Sequence, residues 1–402
     1  MFLSEEIKDK WQPVMEHADI PAIKDATKRA ITLRLLENQQ TALDEANVSA
    51  NAANWDPILI SLVRRTMPQL MAYDTIGVQP MTGPTGLIFA MKSHYTGSTS
   101  GAEALTTAAG APDVDFAGEA GEASPAIAAA NAMATDRAEV LGGFGTPNND
   151  YAEMSFSIAK TSVEAKTKAL KAKYSTELAQ DLKAIHGLDA ESELSNILAG
   201  EILAEINREI IEKIQSQATA GATSGTTTAG TFDVKDALDN RGARWGGERY
   251  KSLLVQINRE ANLIAKNTGR GRGNWLIVSP DVASALDMVS SMAVANMSVD
   301  NGAQPDTANS VFAGVLGGKF KVFIDQFAAT DTVTVGFKGA NMYDAGLFYC
   351  PYVPLQMMKS IGEEDFQPRL GFKTRYGLTH NPFASGAAGG NPYFRKFTVT
   401  NL

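Results

Sequence analysis

The sequence predicts an α+β fold, and three patterns point to it. Leu194, Leu198, Ile202, Ile206, Ile210 and Ile214 recur every four residues, which is the signature of one long helix with an apolar face. Met154, Phe156 and Ile158 alternate with Ser155 and Ser157, which is the period of a strand. Beyond Leu347 the chain is strand-like and aromatic, while the stretch before it mixes helix and strand signals as an α/β or α+β second domain does.

Taken in order, residues 1–45 read as one or two modest amphipathic helices interrupted by Pro13 and Pro21. Ala22, Ile23, Ala26, Ala30, Ile31 and Leu33 line a face suited to docking on a partner. Residues 46–54, small and polar, read as a linker open to cleavage. Asp56 as N-cap and Pro57 at the first helical position then open a helix carrying Ile58, Leu59, Leu62 and Val63. Gly77, Pro80, Gly83, Pro84 and Gly86 punctuate the next stretch before a strand at Leu87–Met91. Residues 96–150 are rich in Gly, Ala, Ser and Thr and poor in large apolar side chains, so they cannot build a core. With a strand on either side, they make the tip of a long protruding hairpin.

A short helix around Leu178–Ile185 closes at Gly187. The long helix follows over 189–217, capped by Asp189 and roughly 44 Å long at ~1.5 Å per residue, with Ile197, Leu203 and Ile211 broadening its apolar stripe. Glu209 and Lys213 form an i,i+4 pair on its polar side. After a flexible break at 218–231 come a helix near Tyr250–Lys266, a strand at Trp275–Val278, a helix after Pro280, and strands at Lys319–Ile324 and Thr332–Phe337. The segment from Leu347 onward is expected to return to the first domain.

Composition limits the functions open to such a chain. With 402 residues, 44% of them hydrophobic, it can bury a sizeable core in two or three domains. A net charge of −9 argues against broad electrostatic binding of nucleic acid or an anionic membrane. One cysteine, Cys350, permits no internal disulfide and no cysteine-based zinc site. His17, His94, His186 and His380 are scattered without metal-ligand spacing. Apolar runs such as Ile58–Ile60 are far too short to span a membrane, and the acidic start MFLSEEIKDK is unlike a secretion signal.

No motif carries catalysis. Gly269, Gly271 and Gly273 in TGRGRGNW follow a helix and precede a strand, the reverse of a dinucleotide fingerprint. Residues 241–272 hold eight Lys or Arg against Glu248 and Glu260, with Trp245 and Tyr250 among them. The preferred reading is an exposed face that pairs with acidic neighbours, and nucleic-acid contact is the alternative. Glu363, Glu364 and Asp365 read as a solvated loop, with cation binding the less favoured reading. No catalytic, cofactor-binding or metal-ligating residue is singled out, and no cofactor is expected.

Two long runs carry a resemblance. WDPILISLVRRTMPQLMAYDTIGVQPMTGPTGLIFAMKS (Trp55–Ser93) and the run Glu153–Ile210 closely resemble the major capsid protein of T-even-type tailed phages, and EEDFQPRLGFKTRYGL (Glu363–Leu378) fits the same family. The resemblance implies the Hong Kong 97-like capsid fold. On that layout residues 1–45 are a propeptide that engages scaffold, and 46–83 an N-terminal arm. Residues 84–165 are the extended loop with its tip at 96–150, and 166–225 a peripheral domain with spine helix 189–217. Residues 226–345 form an axial domain, and 346–402 return to the peripheral domain.

The resemblance also implies hexameric capsomers in a head enclosing genomic DNA without sequence-specific binding. The implied partners are copies of itself, a vertex protein, a scaffold protein, a maturation protease and decoration proteins, with no membrane, in a virion assembled in the host cytoplasm. That protease cuts after Glu in Leu/Ile-x-Glu before a small residue, and Leu43-Asp44-Glu45 before Ala46 fits. Leu203–Glu205 and Ile210–Glu212 also match but lie inside the spine helix, where an extended protease substrate cannot form. The family's larger members carry an accessory insertion in the loop region, for which 96–150 is too short. The alternatives are the pentameric vertex protein of such a head, a cellular encapsulin-like compartment shell, or, from another class, a hydrolase with a dispersed site.

Overall fold

A computed structural model describes residues 5–16, 23, 25–46, 70–95, 104, 139, 153–239, 242–243, 245–289, 310–341, 343–362 and 367–402. The helix expected after Asp56, nearly all of the 96–150 tip and the Glu363–Asp365 trio lie outside these residues.

The chain opens with helix α1 (Glu5–Met15), which contains Pro13, and helix α2 (Ala26–Ala46). A short helix α3 (Ala72–Thr75) leads into strand β1 (Gly77–Val78). Strands β2 (Thr85–His94) and β3 (Ser155–Glu164) pair antiparallel as an isolated ribbon, with Leu87 opposite Ser162 and Met91 opposite Ile158. Strand β4 (Lys166–Lys173), which the sequence reading missed, follows after one residue. Helix α4 (Thr176–His186) starts at Ser175, whose hydroxyl accepts the Leu178 amide at 3.2 Å, and stops at Gly187, left-handed at φ 66°. That is a geometry glycine adopts without the strain of a Cβ.

The long helix is α5 (Ala190–Gln217). Leu198, Ile202, Ile206, Ile210 and Ile214 are buried along it, together with Leu203 and Ile211. Two details differ from expectation. Ile197 is 65% exposed, because the stripe turns away from the core there. Glu209 does not pair with Lys213. Its carboxylate instead takes the Lys168 ammonium at 2.6 Å and the Tyr376 hydroxyl at 2.6 Å, tying α5 to β4 and the sheet beneath.

The second half contains β5 (Ala218–Ala220), β6 (Thr231–Asp233), helix α6 (Gly246–Thr268), β7 (Trp275–Val278), helix α7 (Pro280–Val289), β8 (Ser310–Leu316), β9 (Phe320–Asp325) and β10 (Thr332–Gly336). Three long strands end it: β11 (Leu347–Ile361), β12 (Pro368–His380) and β13 (Asn391–Thr400). A four-stranded sheet runs β1-β11-β12-β4. A seven-stranded sheet runs β5-β13-β10-β7-β9-β8, with β6 alongside β13. The class is therefore α+β.

The C-terminal segment divides between the sheets. β11 and β12 join β4 and α5 in the first half of the chain, whereas β13 pairs with β10 in the second sheet. β13 also pairs with β5 and β6, and it is buried through both its faces, at Tyr393, Phe394, Phe397 and Val399, with helices α5 and α6 packed against it.

One large core joins both sheets and also takes in the N-terminal helices through Trp11, Met15, Ile31, Leu33, Leu35 and Leu36. The side chain of Asn38 donates to the carbonyls of Met81 (2.7 Å) and Tyr352 (3.0 Å), the latter where β11 breaks register. Far from lying loosely on the surface, α2 fills a gap in the body of the protein. A helix covered on most sides needs no single apolar stripe, and its sequence shows only a weak one.

Candidate functional site

The feature that asks for a partner is the β2–β3 ribbon. Strand alternation sends Leu87, Phe89 and Met91 of β2 to one face with Phe156 and Ile158 of β3, and all are half exposed or more, from 49% at Leu87 to 65% at Phe156. Met154, just before β3, adds to this apolar surface. The opposite face is the covered one. Ile88 and Val163 enter a small core with Met81, Ala345, Phe348 and Cys350, and Ser157 Oγ lies 2.8 Å from His94 Nε2. The alternation seen in the sequence is therefore real, with Phe156 and Ile158 outward and Ser155 and Ser157 on the covered face; Lys160 and Ser162 share the outward face with the apolar side chains. A two-stranded ribbon is marginal by itself, and a contiguous apolar face of this kind marks an interaction surface.

A second exposed apolar set lies around the start of α5. Leu178 and Ile185 of α4, Leu188, Ile197 of α5, and Met358 and Ile361 of β11 are all more than two-fifths exposed. Lys359 of β11 pairs with Glu191, and Ser195 Oγ reaches Met357 Sδ at 3.5 Å, so the β11 end and the α5 start are neighbours. No residue of α4 is buried, although its charges and leucines are segregated.

The other candidate residues resolve into structural roles. The TGRGRGNW glycines serve packing. Gly269 is the left-handed cap of α6, and a Cβ on Gly271 would sit 2.4 Å from the Phe337 ring. Nothing there cradles a phosphate. The basic stretch is dispersed rather than gathered. Arg270 pairs with Asp344 at 2.5 Å and lies over Phe383, Arg272 lies over Phe320, and Glu260, one of its two acids, is buried against Arg395 at 2.5 Å. Arg241 and Arg244 lie outside the described residues. Cys350 is buried and its thiol is pushed up to about 12 by that burial, which leaves it unreactive. Among the described residues no three His, Cys, Asp or Glu side chains gather as metal ligands, and no helix is long and apolar enough to cross a membrane.

The residues expected to form a processing site, Leu43, Glu45 and Ala46, occupy the last turn of α2, and the linker expected from 47 to 54 lies outside the described residues. Their side chains lie outside the described set. Helicity alone thus does not separate this tripeptide from Leu203–Glu205 and Ile210–Glu212. Position does: a final turn frays, whereas the middle of α5 is locked into the core.

Comparison with known proteins decides the family. Residues 52–399 match the model of the family described as major capsid protein Gp23. The chain belongs to the major capsid protein Gp23 family. The major capsid protein of Vibrio phage KVP40 is 40% identical, with 98% of this chain and 100% of that protein covered, and that of Enterobacteria phage T4 is 38% identical over 99% of each. The KVP40 alignment runs over 513 positions, more than this chain has residues, so that relative carries sequence with no counterpart here. The capsid vertex protein of phage T4 is more distant, at 26% identity over 60% of this chain and 56% of its own. Among solved structures, the capsid of Myoviridae phage XM1 aligns with 82% of this chain and 92% of its own at 10% identity and a TM-score of 0.42, too loose a likeness to argue from. Membership of the Gp23 family makes this chain a structural subunit of a phage capsid of the T4-like type and locates it in the virion.

Proposed function

We propose that this capsid protein assembles as hexameric capsomers into a DNA-containing head, that it does so by binding copies of itself without a catalytic step, and that residues 1–45 are removed after Glu45. The observation that carries the reading is the outward apolar face of the β2–β3 ribbon, which is left exposed among the described residues. Laid over an adjacent copy, each of its large side chains would stabilise the lattice by roughly 1–2 kcal/mol, offset by the cost of association. Such contacts are individually weak enough to correct errors and strong when repeated around a shell. On this reading the layout is Hong Kong 97-like: an arm, the extended loop 84–165, the spine helix α5 and an axial part 226–345. The vertex, scaffold and decoration proteins, and the maturation protease, are partners on the same reading. The pentameric vertex role is the weaker alternative, because the vertex relative is the more distant one.

Processing follows a physical path. The segment 1–45 carries six Lys or Arg and nine Asp or Glu, so its loss removes a net charge of −3. Because α1 and α2 contribute Trp11, Ile31, Leu35 and Leu36 to the core, their removal also uncovers an apolar bed that favours rearrangement of the subunit. The test is co-expression with the scaffold and protease, followed by particle imaging and mass spectrometry of the mature N-terminus. Hexameric particles whose subunits begin at Ala46 are expected. Particles of Glu45→Gln that expand and fill with DNA while retaining residues 1–45 would refute the processing step. A purified chain that stays monomeric under every assembly condition would refute the assembly reading.

A further inference from the structure

The cleft between α2 and the second sheet is rich in donors and poor in acceptors. It encloses about 960 Å³ and is walled by Lys28 of α2, Tyr73 and Asp74 of α3, Trp275 of β7, the turn into β9, and the segment after β10. Asp74 is shared by two ammonium groups, Lys321 at 3.0 Å and Lys28 at 3.6 Å. Lys338 donates to the Tyr73 carbonyl, and burial draws its pKa down to about 8 while Asp74 acts against the shift. Lys319, at the rim, has no ion-pair partner among the described residues. The other carboxylate among the described residues of the wall, Asp25, accepts the Thr27 amide at 2.9 Å and so caps α2. Four cations thus face two carboxylates.

Crowded like charges are unfavourable, and a ligand that brings negative charge with several acceptor oxygens relieves them. Lysines approaching as separate point charges suit a tetrahedral oxyanion, whereas planar carboxylate recognition favours the forked guanidinium, which this wall lacks.

We propose that this cleft is a binding site for a phosphate-class anion. Two sources carry that chemistry, a free phosphate or diphosphate and the backbone of a nucleic acid. The site belongs to the uncleaved chain, because Lys28 lies on the segment read above as a propeptide. The proposal does not depend on that cleavage.

The test uses the full-length chain and inorganic pyrophosphate, titrated by calorimetry at about 50 mM salt, beside a labelled duplex of about 20 base pairs followed by anisotropy. Saturable pyrophosphate binding is expected, weakened about tenfold or more by Lys319→Glu, since reversing one charge near a dianion both removes attraction and adds repulsion. Lys319 is exposed and makes no ion pair among the described residues, so this variant keeps the fold, and Lys321→Gln gives a second, milder loss. A duplex displaced by pyrophosphate and sensitive to Lys319→Glu assigns the site to nucleic-acid phosphates. Pyrophosphate binding without duplex binding assigns it to the free anion. Absence of pyrophosphate binding, or an affinity unchanged in both variants, overturns the proposal.

Discussion

The β2–β3 ribbon and the β12 strand share one kind of sequence and have opposite fates. Both alternate apolar and polar residues. In β12 the alternation buries Leu370, Phe372 and Tyr376 beneath α5, whereas in the ribbon it turns Leu87, Phe89, Phe156 and Ile158 to solvent. The strand between β11 and β4 has a sheet on both edges and a helix above. Among the described residues the ribbon's apolar side has no such cover. Period-two patterning thus marks a strand with one sticky face but is silent about who covers it.

Five variants test that contrast, beginning with the largest effect. Arg395→Met should cost about 3–5 kcal/mol, because it strands the Glu260 carboxylate, buried and hydrogen-bonded to the Ala222 amide and Gln256, without its cation. Denaturant unfolding reads this as a lowered midpoint, and a cost below about 1 kcal/mol would mean water reaches the pair. Ile210→Ala, at a fully buried point of α5, should cost about 2–4 kcal/mol. The same change at Ile197, which is 65% exposed, should stay within about 0.5 kcal/mol in the isolated chain.

The ribbon should behave in reverse. Phe89→Ser with Phe156→Ser is expected to leave the unfolding midpoint of the subunit within about 0.5 kcal/mol while sharply reducing assembly seen by light scattering. Loss of subunit stability with assembly intact would remove the contrast altogether.

The smallest effect concerns pH. Burial alone would raise the Glu209 carboxyl, but hydrogen bonds from Lys168 and Tyr376 and the charges of Lys168 and Lys213 hold it below its ordinary value of 4.5. A carboxyl depressed in the folded state contributes stability above its unfolded pKa and loses it as pH falls through the folded value. Stability measured between neutral pH and acid should therefore drop below about pH 4.5, and Glu209→Gln should flatten part of that drop. An identical pH profile in the variant would show that the α5–sheet tie carries no linkage.

Much of this was open to reading along the chain. The α5 stripe, the Gly187 stop, the helix–glycine–strand order at 268–275 and strands β7, β9 and β10 follow from spacing, because local periodicity is a property of consecutive residues; the stretch 218–231, read as a flexible break, instead holds β5 at Ala218–Ala220. Strand β4, KTKALKAK, escaped notice because its outward lysines conceal a short apolar rhythm at Ala169–Leu170–Ala172. The processing tripeptide Leu43–Glu45 was legible as letters, but its place in the last turn of a helix was not.

Residue spacing, composition and long runs of family-like sequence were enough to establish the α+β class, the long helix and the capsid family. Only the folded chain decided that α2 belongs to the core, that β13 leaves β11 and β12 for the other sheet, and that the ribbon shows its apolar side outward. Those outcomes depend on contacts between residues hundreds of positions apart, such as Asn38 with Tyr352. A pattern of neighbours along the chain specifies which faces are apolar, but the competition among distant surfaces settles which of them are covered.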